Sequence, residues 1–187
     1  MDMPNLLTIA RILFAALIAL ILIFFPSKLS YLISFILFCL AGITDFFDGW
    51  LARRKNEISD LGRMLDPIAD KILVISTLVV LISSGIIEGY NLIAALIIIY
   101  REIFISGLRE FLGSKSLVVN VTKVAKWKTA IQFITISSFL ASAIIGDYFL
   151  YTNTACSILI WITSIISLYT GINYLNNASN YFKIKKK

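Results

Sequence analysis

Residues 45–70 read DFFDGWLARRKNEISDLGRMLDPIAD and lie between two strongly apolar stretches of the chain. Four of the five aspartates in this segment recur at a fixed spacing: Asp45, Asp48, Asp66 and Asp70. Carboxylates at the end of a membrane helix are costly and need a partner or a purpose. Four converging carboxylates repel one another unless cations neutralise them. Because the chain has no histidine and only two cysteines, we expect a hard, oxygen-loving cation, Mg²⁺ or Mn²⁺ rather than Zn²⁺.

The apolar stretches belong to a chain that is too hydrophobic for a soluble domain. Of its 187 residues 59% are hydrophobic, and the mean hydropathy is +0.88. A membrane-spanning helix needs about 20 residues, so six spans and short connections use the whole chain. The sequence predicts an all-α integral membrane protein with six transmembrane helices and a short N-terminal interfacial segment, forming one domain over residues 1–187.

The basic residues predict the orientation of these spans. If both termini are cytoplasmic, each of the 17 Lys and Arg residues except Lys28 falls on the cytoplasmic side. The opposite turns carry Glu88 and Asp147 and no further cations. This bias predicts that the four aspartates lie at the cytoplasmic face. It also argues against nucleic-acid binding, because topology and anionic lipid headgroups account for the net charge of +6.

The spacing of the aspartates predicts two pairs, each on one helical face. Asp45 and Asp48 are near the end of the second span, and Asp66 and Asp70 are near the start of the third. A hairpin of these helices suits two divalent ions bridged by carboxylates. Such a pair of ions stabilises the attacking and leaving oxygens in a displacement at phosphorus. The alternative is that the acids simply end two helices and pair with neighbouring basic residues.

The residues between the aspartates suit a phosphate ligand. Gly49 and Gly62 lack side chains, so a ligand or a neighbouring helix can approach the backbone closely. Arg53 is a candidate fork for a phosphate oxygen. The whole string, Asp45-x-x-Asp48-Gly49-x-x-Ala52-Arg53, eight residues, then Gly62-x-x-x-Asp66-x-x-x-Asp70, resembles the signature of the CDP-alcohol phosphotransferases at every signature position.

That resemblance implies a membrane enzyme that transfers the phosphatidyl group of CDP-diacylglycerol to an alcohol, with CMP as the leaving group. It implies a six-helix homodimer in the cell inner membrane, with two metal ions in a site that faces the cytoplasm. Asp45, Asp48 and Asp66 would bind metal, and Asp70 would contribute to ligation or act as the base. The CDP site would be lined by Gly49, Ala52, Arg53 and Gly62.

Several segments resemble the branch of the family whose acceptor is sn-glycerol 3-phosphate, which yields phosphatidylglycerophosphate. These segments are residues 4–11 (PNLLTIAR), 65–71 (LDPIADK), 101–103 (REI), 108–110 (LRE) and 126–129 (KWKT). Other acceptors remain open, namely phosphatidylglycerol, as in cardiolipin synthesis, or an inositol phosphate. A non-enzymatic cation transporter is a further alternative, and it predicts ionisable residues near the membrane midplane.

A physical argument also favours a phosphate-bearing acceptor. Arg101 and Arg109 are about two turns apart, so they share one helical face, and Lys126 and Lys128 lie at the start of the next span. Such a cluster suits a dianionic phosphate, which serine, glycerol and free inositol lack. The alternative is that these cations set the topology or pair with Glu102 and Glu110.

A polar stripe opens the first helix. Asn5, Thr8 and Arg11 recur every three residues on an otherwise apolar segment. One interpretation is that Asn5 and Thr8 contact the CDP nucleotide or the lipid headgroup. The other is an interfacial helix that lies at the membrane surface.

Overall fold

The computed structural model describes residues 3–55, 60–114, 123–145 and 150–184. Within these ranges the side chains at 3–5, 45–55, 60, 61, 63, 114, 123–126, 150–152 and 180–184 are not described. The described residues form six helices: α1 (Met3–Phe24), α2 (Lys28–Lys55), α3 (Asp60–Ser83), α4 (Asn91–Ser114), α5 (Lys123–Ile145) and α6 (Leu150–Ile184). These ranges contain no strand, which confirms the prediction of an all-α chain.

Four of these helices are long and apolar enough to cross a membrane. The stretches are Leu6–Phe24, Asn91–Gly113, Trp127–Ile145 and Asn153–Ser179. A shorter apolar segment, Lys28–Thr44, lies in α2. The protein is therefore a multi-pass membrane protein, while six spans and cytoplasmic termini stay predictions. Helix α1 is continuous from Met3 onward, so no break separates an interfacial segment from the rest of this helix.

Helices α2 and α3 extend further into the acidic segment than the apolar runs predict. The second apolar run stops at Thr44, yet α2 continues to Lys55, and α3 begins at Asp60, before Pro67. Proline removes one helical hydrogen bond because its nitrogen carries no hydrogen, yet α3 continues through Pro67. The Lys71 Nζ atom donates to the Pro67 carbonyl at 2.7 Å. Hydropathy marks where a helix enters apolar surroundings, not where its backbone bonding ends.

The chain divides into two compact units, each of which is described by itself. The first comprises Met1–Glu88 and Ile136–Cys156, and the second comprises Gly89–Thr135 and Ser157–Lys187. In the first unit α1 packs against α2 and α3. Its core includes the fully buried side chains of Ile18, Phe38 and Leu73. Small buried residues such as Ala15 and Ala41 allow the helices to approach closely.

In the second unit α4 and α6 run in the same direction. The Asn91 Nδ2 atom donates to the Ser157 hydroxyl at 2.8 Å, and the Arg101 Nε atom donates to the Ser167 carbonyl at 3.2 Å. In each pair the two residues are 66 positions apart in the sequence. A step along α4 is therefore matched by an equal step in the same direction along α6. This parallel arrangement is expected if α5 crosses the membrane once between them.

Candidate active site

The four aspartates lie on two helices of the first unit. Asp45 and Asp48 belong to α2, where the backbone is helical and the side chains lie outside the described set. Asp66 and Asp70 belong to α3, one turn apart on one helical face. Among the described side chains no three acidic, histidine or cysteine residues gather. Because that set excludes Asp45 and Asp48, convergence of all four carboxylates stays a prediction.

Helix α1 supplies two polar contacts to Asp66. The Thr8 hydroxyl donates to Asp66 Oδ1 at 2.9 Å, and the Arg11 Nη1 atom lies 3.9 Å from the same oxygen. Thr8 and Arg11 are buried, whereas the Asp66 side chain is 51% exposed. Thr8 and Arg11 therefore face α3 and orient one aspartate while leaving that aspartate open to a ligand.

Of the six predicted CDP-binding residues, Thr8 and Gly62 belong to the part of the chain whose burial is described. Thr8 is buried against α3 and bonded to Asp66, and Gly62 is half-buried on α3, one turn before that aspartate. The other four predicted residues have side-chain positions that fall outside the described set: Asn5, Gly49, Ala52 and Arg53. Nucleotide contact by all six stays a prediction.

In the second unit Arg101 lies in a network of polar contacts that joins three helices. Its Nη1 atom donates to Glu102 Oε1 at 3.0 Å and its Nη2 atom to the Thr170 hydroxyl at 3.1 Å. The Lys128 Nζ atom of α5 donates to the same Glu102 oxygen. Pairing of Arg101 with Glu102 was one of the two sequence interpretations, and the structure shows that pair.

The charged side chains of this network are buried, so they need polar partners within the protein. Glu102 and Lys128 are buried, and the Arg101 side chain is only 12% exposed. Charged groups inside a membrane protein are tolerated when they pair with one another or face a polar cavity. Among the described contacts, the cations of Arg101 and Lys128 share one carboxylate oxygen of Glu102, and a pair of cations suits an anionic ligand.

Of the other two predicted phosphate-binding residues, Arg109 has a described side chain and Lys126 does not. Arg109 is exposed, and its guanidinium carbon lies 5.8 Å from the centre of the Tyr174 ring on α6, within the range of a cation–π contact. Arg101 and Arg109 therefore both face α6, as the two-turn spacing predicts. Lys126 lies in the first turn of α5, and its side chain is outside the described set.

A comparison with known protein families decides the class of this site. The family model described as CDP-alcohol phosphatidyltransferase matches residues 1–169. The chain belongs to the CDP-alcohol phosphatidyltransferase family. That match covers both helices that carry the four aspartates and both helices that carry Arg101 and Lys128.

Several bacterial relatives in this phosphatidyltransferase family are similar over nearly their whole length. A Rickettsia bellii protein named CDP-diacylglycerol–glycerol-3-phosphate 3-phosphatidyltransferase is 40% identical over 182 residues, which cover 97% of each chain. A Rickettsia typhi protein of the same name is 37% identical over 97% of this chain and 99% of its own. The Haemophilus influenzae protein of that name is 34% identical over 95% of this chain and 93% of its own.

CDP-alcohol phosphatidyltransferases generally depend on a divalent metal, and the described aspartates fit such an ion. Asp66 Oδ1 is engaged by Thr8 and Arg11, while its Oδ2 atom bonds to none of the described residues. Asp70 offers a second carboxylate on the next turn of α3. An oxygen-only donor set with one exposed carboxylate is what Mg²⁺ or Mn²⁺ prefers.

Sequence reasoning missed the residues that hold this phosphatidyltransferase's polar groups in place. It did not consider Thr170 or Gly171, and it left open whether Lys128 binds a phosphate, sets the topology or pairs with Glu102 and Glu110. Thr170 and Gly171 lie within the sixth apolar run, where their spacing resembles that of any membrane helix. The available signal was Glu102 itself, because an acid next to an arginine inside an apolar run needs a cationic partner.

Proposed function

We propose that the chain transfers the phosphatidyl group of CDP-diacylglycerol to sn-glycerol 3-phosphate, giving phosphatidylglycerophosphate and CMP. The observation that carries this proposal is the similarity, over almost the full length of both chains, to relatives named for that reaction. The exposed carboxylate of Asp66 and the paired cations Arg101 and Lys128 agree with the chemistry.

Asp70 is assigned the role of base in this reaction. It takes the proton from the glycerol hydroxyl as that oxygen forms a bond to the lipid-bearing phosphorus. The bond between that phosphorus and the bridging oxygen breaks, and CMP leaves with the electron pair. A bound divalent metal supplies charge neutralisation to the pyrophosphate. Asp45, Asp48 and Asp66, with Asp70, are the residues that would hold it.

Recognition of the phosphate of the acceptor is assigned to three basic residues. Arg101 donates N–H groups to the phosphate of sn-glycerol 3-phosphate, and Arg109 and Lys126 contribute further positive charge. Recognition of the cytidine diphosphate is assigned to six residues: Asn5, Thr8, Gly49, Ala52, Arg53 and Gly62. In this proposal the protein is a homodimer of six-span subunits in the inner membrane, and both termini and the site face the cytoplasm.

The reaction is tested with the purified full-length protein in detergent, CDP-diacylglycerol, Mg²⁺ and radiolabelled acceptors in parallel reactions. Glycerol 3-phosphate is compared with serine, inositol, inositol phosphate and phosphatidylglycerol. We expect label in the lipid phase only from glycerol 3-phosphate, together with release of CMP, and loss of both products when a chelator is added. Transfer to a different acceptor would overturn the assignment of the acceptor but keep the aspartate chemistry.

A further inference from the structure

Residues of α4 and α6 hold the Arg101 guanidinium by hydrogen bonds. On the α6 side its Nε atom donates to the Ser167 carbonyl at 3.2 Å and its Nη2 atom donates to the Thr170 hydroxyl at 3.1 Å. On the α4 side its Nη1 atom donates to Glu102 at 3.0 Å. Three of the five N–H groups of an arginine are thereby used. The remaining two bond to no residue in the described part of the chain.

Thr170 is arranged to accept from the arginine. Its hydroxyl lies 2.9 Å from the Ile166 carbonyl and 2.9 Å from the Ser167 carbonyl of its own helix, and it can donate only to them. The hydroxyl proton is therefore committed to the α6 backbone, and an oxygen lone pair is directed to the Arg101 N–H group. The contact is a charge-assisted hydrogen bond, which is stronger than a neutral one.

Gly171 gives Arg101 the space to lie against α6. A Cβ atom built at this position would be 3.2 Å from Arg101 Cγ and 3.6 Å from Arg101 Nε. The first distance is tighter than an ordinary van der Waals contact, so an alanine here requires the Arg101 side chain to shift by a few tenths of an ångström. Gly107 on α4 offers a matched comparison, because a Cβ atom there meets nothing within 4 Å.

Glu102 completes the arrangement through its second cation. Lys128 and Arg101 donate to one carboxylate oxygen, and Glu102 holds Arg101 through a nitrogen other than the one that binds Thr170. The guanidinium is thereby fixed in position before any ligand arrives. A fixed donor loses less conformational freedom on binding than a mobile side chain does.

We propose that Thr170, Gly171 and Glu102 are positioning residues that hold the Arg101 guanidinium ready for the phosphate of the acceptor. This inference rests on the proposed function, which assigns Arg101 to that phosphate. None of the three residues needs to touch the acceptor. Their effect reaches the reaction through the position of one arginine.

The first test compares Gly171→Ala with Gly107→Ala in the full-length protein, by initial rates at varied glycerol 3-phosphate and varied CDP-diacylglycerol. For Gly171→Ala we expect the KM for glycerol 3-phosphate to rise about tenfold, the effect of weakening one hydrogen bond to a charged group. The KM for CDP-diacylglycerol should stay within about twofold. Gly107→Ala should leave both KM values unchanged.

The second test is Thr170→Val, which preserves the shape of the side chain and removes the acceptor oxygen. It should raise the same KM about tenfold, and Thr170→Ser, which restores the hydroxyl, should recover most of the wild-type value. Thermal unfolding is measured for each variant. If Gly171→Ala and Thr170→Val lower the melting temperature while both KM values remain at wild type, the residues are merely structural and the inference is wrong.

Arg101→Met separates failure of this inference from failure of the proposed function. If wild type uses glycerol 3-phosphate and Arg101→Met raises its KM, but the Gly171 and Thr170 variants do not, the positioning role alone is overturned. If Arg101→Met also leaves that KM unchanged, the phosphate is bound elsewhere. If wild type does not use glycerol 3-phosphate, the proposed function itself fails.

Discussion

We expect kcat to depend on the single carboxylate of Asp70. In Asp70→Asn the amide cannot accept the hydroxyl proton, so kcat should fall by about a thousandfold, within the range for loss of a general base. The KM for CDP-diacylglycerol should change much less. Both parameters are obtained from the rate of CMP release.

Glu88→Gln is the control for this substitution, because Glu88 is exposed in the turn before α4. It removes one negative charge without touching the candidate site and should keep full activity. An Asp70→Asn enzyme with wild-type kcat would show that another group takes the proton.

Thr8 is expected to act on the metal through Asp66. Thr8→Val removes the hydroxyl that donates to Asp66 Oδ1 at 2.9 Å. Loss of such an outer contact typically weakens metal binding about tenfold or more, so the Mg²⁺ concentration for half-maximal rate should rise by about tenfold. Thr8→Ser keeps the donor and should lie close to wild type. Equal Mg²⁺ dependence in Thr8→Val and wild type would contradict this role.

Among the helices, the contact of α4 with α5 carries the largest expected effect on stability. Glu102→Gln leaves the buried Lys128 ammonium without its carboxylate, and removal of one partner from a buried pair costs about 3 kcal/mol or more. We expect a clearly lower melting temperature in detergent. Glu110→Gln removes the same charge from an exposed position on the same helix and should change stability by less than about 0.5 kcal/mol.

A double variant distinguishes lost charge pairing from other damage in α4. Glu102→Gln with Lys128→Met removes both members of the ion pair, so part of the stability lost in Glu102→Gln should return. If the double variant is as unstable as the sum of the two single variants, the two side chains do not act as a pair.

The helical elements show where sequence reasoning succeeds and where it stops. Apolar runs locate all six helices, because burial in lipid needs continuous apolar surface. They do not locate the ends of α2, α3 and α6, since polar residues continue a helix beyond the apolar region.

The candidate site divides in the same way. The spacing of Arg101 and Arg109 correctly predicts a shared face, because helical geometry is local. The contact between Thr8 and Asp66 joins residues 58 positions apart, and such a long-range contact depends on tertiary packing that spacing alone does not specify. For Thr8 the sequence left nucleotide contact and an interfacial position open, and neither interpretation included this contact.

For the whole molecule the charge distribution predicts that Glu88 and the lysine tail lie on opposite sides of the membrane. Single-cysteine variants at Glu88 and Lys186, made with Cys39 and Cys156 replaced by alanine, test this in intact spheroplasts. A membrane-impermeant maleimide should label the Glu88→Cys variant at once and the Lys186→Cys variant only after permeabilisation. Labelling of both from outside would contradict cytoplasmic termini.

The parallel register of α4 and α6 constrains how this sequence can change in length. Contacts recur at Asn91 with Ser157, at Arg101 with Ser167 and at Arg109 with Tyr174. Inserting one residue between Arg101 and Arg109 would turn everything after it by about 100° and carry Arg109 away from Tyr174. These two segments can therefore accept many substitutions, but insertions and deletions only when both helices change together.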